Sequence, residues 1–146
     1  MTIAREELAA IFERAPALAE RVRGNDPAAI VASARSELAR MTEAERIEVL
    51  NAHPRLGADP TSLSALSRRE QGGEADLATL RDLGQLNDEY ERKFGFRFVV
   101  FVAGRSKAEI VPVFRERLRR TREDELATGI DEFLAITRDR LTRITS

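Results

Sequence analysis

LNDEYERKFGFRFVV (86–100) contains the change of backbone on which the fold turns. Its first nine residues close a longer stretch, 75–94, in which Leu77, Leu80, Leu83, Leu86, Tyr90 and Phe94 fall on one side of a helix. Gly84 weakens the middle of that helix slightly, and Gly95 is a natural stop. Residues 96–102 (FRFVVFV) are β-branched and aromatic, and lie between Gly95 and Gly104. No second stretch of this kind exists to pair with it. An extended, buried segment is therefore expected, whose backbone groups find partners outside any ladder.

Outward from this string the signals are helical. Residues 4–14 carry Leu8, Ile11 and Phe12 at helical spacing, and Pro16 opens a short helix ending at Gly24. Asp26-Pro27 is an N-cap with proline at the first helical position, followed by a stripe of Ile30, Val31, Ala34, Leu38 and Met41. Thr42-Glu43-Ala44-Glu45 is a capping box for a helix bearing Ile47 and Leu50, which Pro54 forces to stop near His53. Residues 54–63 read as loop, 64–71 as a short helix broken by Gly72-Gly73. Ser106 to Glu109 is a second box opening a helix to about Arg120, in which Pro112 lies deep enough to predict a later start or a kink. Thr121 caps a last helix to about Thr142, with Leu126, Ile130, Phe133, Leu134 and Leu141 inward. The expectation is one all-α domain over 1–146, a compact bundle of seven or eight helices with one extended apolar segment near 96–102.

Composition narrows the function. The 146 residues are 42% apolar and 34% charged, a globular balance. There is no cysteine and one histidine, His53, which removes thiolate nucleophiles, iron–sulfur clusters and Cys- or multi-His metal sites. A net charge of −1 and aromatics at 5% argue against a nucleic-acid or membrane-surface partner. The N-terminal segment lacks the apolar core of a signal peptide, no run approaches a membrane span, and Ile144-Thr145-Ser146 is no peroxisomal address. A cytoplasmic protein without metal or cofactor is expected.

Four groups of residues are candidates for chemistry. His53 sits at a helix-to-loop break, where an imidazole suits proton transfer; the structural alternative is an ordinary helix-end histidine. Glu70 in SRREQ (67–71) is a carboxylate able to orient His53 or bind a ligand, yet Ser67-Arg68-Arg69-Glu70 is also a capping box in its own right. Five arginines in RERLRRTRED (115–124) suggest a phosphate patch, but interleaved acids favour a solvated face with local ion pairs. Arg140 lies beside apolar Ile136 and Leu141 and would need an anion from the protein or a ligand. Finally, the strip after Gly95, if it lines a pocket, offers backbone groups to a flat, hydrogen-bond-rich heterocycle; otherwise it is core.

HPRLG (53–57), SRREQ (67–71) and LNDEYERKFGFRF (86–98), in this order, resemble the signature segments of the OHCU decarboxylase family, and weaker likeness covers nearly the whole chain. The resemblance implies an all-α, cofactor-free, typically dimeric enzyme of urate breakdown. Its substrate would be 2-oxo-4-hydroxy-4-carboxy-5-ureidoimidazoline and its products (S)-allantoin and CO2. It further implies His53 and Glu70 as catalytic residues, with Pro54, Ser67, Gln71, Phe98, Val99, Val100, Phe101, Val102 and Arg140 as substrate contacts. Arg138 and Arg143 compete with Arg140 for the arginine of the last helix. Departures from the family pattern are Gly72-Gly73-Glu74 after the E-Q pair, no Arg-x-x-Asn in RLRRTRED, and a shorter loop between His53 and Glu70 than in animal relatives. The alternatives are a helical interaction module working through the arginines, and a paralogue acting on a related ureido or imidazoline acid.

Overall fold

The computed structural model describes residues 10–12, 16–58, 66–67 and 75–145. Six helices have defined bounds among them: α1 (Pro16–Arg21), α2 (Pro27–Arg40), α3 (Glu43–Asn51), α4 (Leu77–Phe94), α5 (Lys107–Arg117) and α6 (Arg122–Thr145). No strand occurs among the described residues. The all-α expectation holds, but the count does not. Five of these helices have nine residues or more and α1 has six, short of the seven or eight expected. The segments expected to supply the others, 4–14 and 64–71, lie mostly outside the described residues, which show helical backbone only at 10–11 and 66–67.

Local chemistry sets most boundaries. The Ala29 N–H donates to Asp26 Oδ1 at 2.9 Å, with Pro27 at the first helical position, so α2 starts where the sequence predicts. Thr42 and Glu45 exchange both bonds of a capping box and start α3. Asp76 accepts from the Thr79 N–H at 2.7 Å and starts α4. Gly95, at φ 82°, closes α4 in the left-handed region, with its N–H on the Glu91 carbonyl. Thr121 caps α6 through the Asp124 N–H.

Two readings are corrected. Leu77 is 77% exposed, because it is the first residue of α4, above the level at which the helix meets its neighbours. Pro112 neither delays nor splits α5, which begins at Lys107 and carries the proline inside. Pro112 is exposed, so the carbonyl its ring leaves unpaired is accessible to water.

The long α6 organises the molecule: α2 and α3 pack on it, α1 packs on α2, and α4 packs on α5. Residues 96–102 run extended between α4 and α5, with Phe96, Phe98, Val99, Val100 and Val102 buried, as the apolar string requires. Arg97 fastens this strip to the end of α3. Its N–H donates to Asn51 Oδ1 at 2.9 Å, and its Nη1 to the Asn51 and His53 carbonyls at 2.9 and 2.8 Å. The loop after His53 is held by Asn87 Nδ2, which donates to the Leu56 carbonyl at 3.1 Å. In that loop Gly57 has φ 85°, and a Cβ there would stand 3.2 Å from Leu83 Cδ1. Gly57→Ala is expected to lower stability by about 1 kcal/mol or more, read as a reduced urea midpoint at constant m-value.

Candidate active site

The strip, the end of α3 and one face of α6 enclose a cavity of about 500 Å3 whose wall includes His53, Pro54, Ser67, residues 98–102, Ile136 and Asp139. That volume lies within the ~300–1,000 Å3 typical of small-molecule sites. His53 reaches it because α3 ends at Asn51 and the turn continues only as far as the His53 N–H, which donates to the Leu50 carbonyl at 3.1 Å. The ring is then packed edge-on against Phe133 of α6, centroids 5.2 Å apart. His53 is buried, and neither ring nitrogen has a hydrogen-bond partner among the described residues. Burial, and secondarily the charge of Arg140, push its pKa down to about 3. The imidazole is therefore neutral at neutral pH, with one nitrogen able to accept a proton.

This has a consequence for stability. A histidine whose pKa is depressed on folding stabilises the native state fully only above its unfolded value of about 6.5. That contribution is lost as pH falls from there towards 3, because the unfolded chain takes up the proton first. The urea midpoint difference between the wild-type protein and His53→Gln is expected to shrink from pH 7 to pH 4.5. The lost contribution is at most about 1.4 kcal/mol per pH unit. A constant difference would show that the ring is not held neutral.

Arg140, expected as a substrate contact, is not among the residues that line the cavity. It is fully buried, its Nη1 donates to the Ile11 and Ala10 carbonyls at 2.7 and 3.3 Å, and its Nη2 approaches Ser67 Oγ at 3.4 Å. One guanidinium thus ties the segment 10–12 and the pair 66–67 to α6. The competing arginines separate: Arg143 is in the cavity wall, paired with Asp139 at 2.9 Å, whereas Arg138 borders a surface hollow on α2. Glu70 and Gln71 lie outside the described residues.

The strip offers its backbone. Val99's carbonyl accepts from Arg117 Nη1 at 2.7 Å, and those of Phe101 and Val102 accept from Arg105 at 2.7 and 2.9 Å. The Phe101 N–H reaches Glu132 Oε1 at 3.4 Å. The Phe98 and Val100 N–H and C=O and the Val99 N–H make no hydrogen bond among the described residues. A buried peptide of this kind calls for a partner.

Sequence reasoning missed Asp139, Arg105 and Leu56 in the wall, and misjudged part of the arginine cluster. Arg115 and Arg119 are exposed as expected, but Arg117 is buried in an ion pair with Glu125 at 2.8 Å. The signal was present as Arg-to-Glu spacing across the α5–α6 turn, but nothing in the sequence says that the turn faces inward.

The family model described as OHCU decarboxylase matches residues 2–142. A Haloferax volcanii protein named 2-oxo-4-hydroxy-4-carboxy-5-ureidoimidazoline decarboxylase is 31% identical over 140 residues, covering 90% of this chain and 82% of the relative. A uric acid degradation bifunctional protein of Bacillus sp. (strain TB-90) is 30% identical over 145 residues, which are 94% of this chain and 29% of the relative. The chain therefore spans under a third of that bifunctional protein's length. The crystal structure of OHCU decarboxylase in the presence of (S)-allantoin superposes with a TM-score of 0.75 at 22% identity, over 94% of this chain and 96% of the other, and shares the fold. By the family-model match over nearly its whole length and by its likeness to the Haloferax volcanii relative, this chain belongs to the OHCU decarboxylase family.

Proposed function

We propose that the chain converts 2-oxo-4-hydroxy-4-carboxy-5-ureidoimidazoline to (S)-allantoin and CO2 without a cofactor. The observation that carries this reading is a buried neutral imidazole, with no partner at either nitrogen among the described residues, in the wall of a cavity that also presents the backbone of the strip. An acid–base group and a backbone reader of a flat ring are what the reaction needs.

The chemistry asks for little else. The carboxylate leaves from a ring carbon next to a C=N bond. The electron pair of the breaking C–C bond enters that C=N bond, and its nitrogen takes a proton from solvent. The resulting enol gives its hydroxyl proton to His53, and the imidazolium returns it to the ureido-bearing ring carbon. His53 thus ends as it began. In free solution the planar intermediate takes its proton on either face; a fixed imidazole delivers it to one.

The remaining assignments are part of the same proposal. Glu70 bonds the ureido or ring N–H groups, with Ser67 and Gln71 beside it and Pro54 against the ring. Phe98, Val99, Val100, Phe101 and Val102 form the backbone wall, and Arg140 supplies the positive charge. Residues 1–146 form one domain, working as a cytoplasmic homodimer on a small molecule and not on nucleic acid. Consistent with this, no helix among the described residues is long and apolar enough to cross a membrane. The test is circular dichroism of freshly generated substrate. The proposal expects the (S)-allantoin signal to rise faster with the chain than without it; equal rates and a racemic product would refute it.

A further inference from the structure

The strip that forms the cavity wall is held from behind by groups that do not line the cavity. Arg117 of α5 is the centre of this arrangement. Its Nε donates to Glu125 Oε1 at 2.8 Å, its Nη1 to the Val99 carbonyl at 2.7 Å, and its guanidinium lies over the Phe98 ring, 4.3 Å from the centroid. Phe98 is in turn stacked on Phe114, centroids 3.7 Å apart. Glu125 is fully buried and also accepts from Tyr90 Oη at 2.6 Å and Arg120 Nη1 at 2.9 Å. A buried carboxylate needs this many donors to offset its desolvation. The result is a rigid anchor whose free arm, Nη1, reaches the strip.

The position of that arm matters. Extended backbone with no ladder has nothing else to fix which peptide faces the ligand. Arg117 takes the carbonyl of residue 99 and Arg105 takes those of 101 and 102, while the Phe98 and Val100 peptide groups and the Val99 N–H make no hydrogen bond among the described residues. Arg105 borders the cavity, whereas Arg117 acts only through the strip.

We propose that Arg117 is the positioning residue of the cavity's backbone wall: by holding the Val99 carbonyl and the Phe98 ring, it sets the remaining peptide groups of residues 98–100 to read the substrate's ring. This rests on the functional reading above. A guanidinium suits the task because it is planar and presents donors in two directions while its face covers an aromatic ring; an ammonium is a point charge that cannot do all three.

The test is Arg117→Lys in the full chain. Because the strip binds substrate and transition state alike, KM for the ureidoimidazoline should rise about tenfold with kcat within about threefold of wild type. The dissociation constant of (S)-allantoin should weaken in parallel, and amide hydrogen exchange over residues 98–102 should quicken. A purely structural role would lower the melting temperature while leaving KM and strip exchange untouched, and that outcome in a folded variant overturns the proposal. If Arg117→Lys does not fold, Glu125→Gln keeps the shape of the anchor and weakens its hold on Arg117. The same direction of change in KM and exchange supports the proposal, and no change in either overturns it. If the wild-type chain does not turn over the ureidoimidazoline, the functional reading fails and the substrate role of Arg117 fails with it; strip exchange then decides only whether Arg117 holds the strip, faster exchange showing that it does and unchanged exchange that it does not.

Discussion

His53→Gln is expected to lower kcat for the ureidoimidazoline by about a hundred- to ten-thousandfold, the usual worth of a positioned acid–base group. Glutamine is close to histidine in volume and keeps hydrogen-bonding atoms in the cavity wall, but it cannot carry a proton from the hydroxyl to the ring carbon. The affinity for (S)-allantoin should change only a few-fold, which separates loss of chemistry from loss of the site. The residual product should also lose its handedness, because protonation then comes from water. Retained, stereospecific turnover in this variant would move the proton transfer to another group.

Arg140→Met has the second large effect, and it acts on both stability and activity. Methionine fills part of the space but leaves the Ile11 and Ala10 carbonyls and Ser67 without the donors that Nη1 and Nη2 supply. Orphaned buried acceptors cost ~1–3 kcal/mol each. A total loss of about 3 kcal/mol is expected in urea denaturation, since the segment 10–12 can relax towards solvent. kcat/KM should fall at least a hundredfold at temperatures where the variant is folded, because the variant removes the positive charge proposed to act on the substrate. Removing the cation should also raise the pKa of His53, because Arg140 is the second cause of its depression after burial. Burial remains the larger cause, so the ring should stay below its ordinary value of about 6.5 even in this variant.

How much of this was legible depends on the range of the interaction. Asp26-Pro27, the Thr42–Glu45 box and Gly95 act within four residues, and each boundary they imply is found. The strip was legible because residues 96–102, all β-branched or aromatic except Arg97 and lying between glycines, have few alternatives to being extended and buried. His53 was legible as a candidate through Pro54, which fixes where α3 stops, and the structure brings it together with Pro54, Ser67 and the strip around one cavity. Arg117 was not legible. Its partners, Glu125 and the Val99 carbonyl, lie 8 and 18 residues away, and no periodicity distinguishes a buried ion pair from a solvated one. Nor was the order of the last helix's arginines. Arg140 and Arg143 are less than a turn apart, and which of them is in the cavity wall depends on how α6 packs.

The central claim is that His53, neutral and buried, faces the ligand, and the chain's single histidine allows it to be read directly. Imidazole NMR of the selectively labelled protein, titrated from pH 7 towards 4 with and without (S)-allantoin, contains one ring to follow. The account predicts a ring that stays neutral to below pH 5 in the free protein and whose resonances shift saturably when allantoin is added. A ring that titrates near 6.5 and is indifferent to allantoin would contradict it.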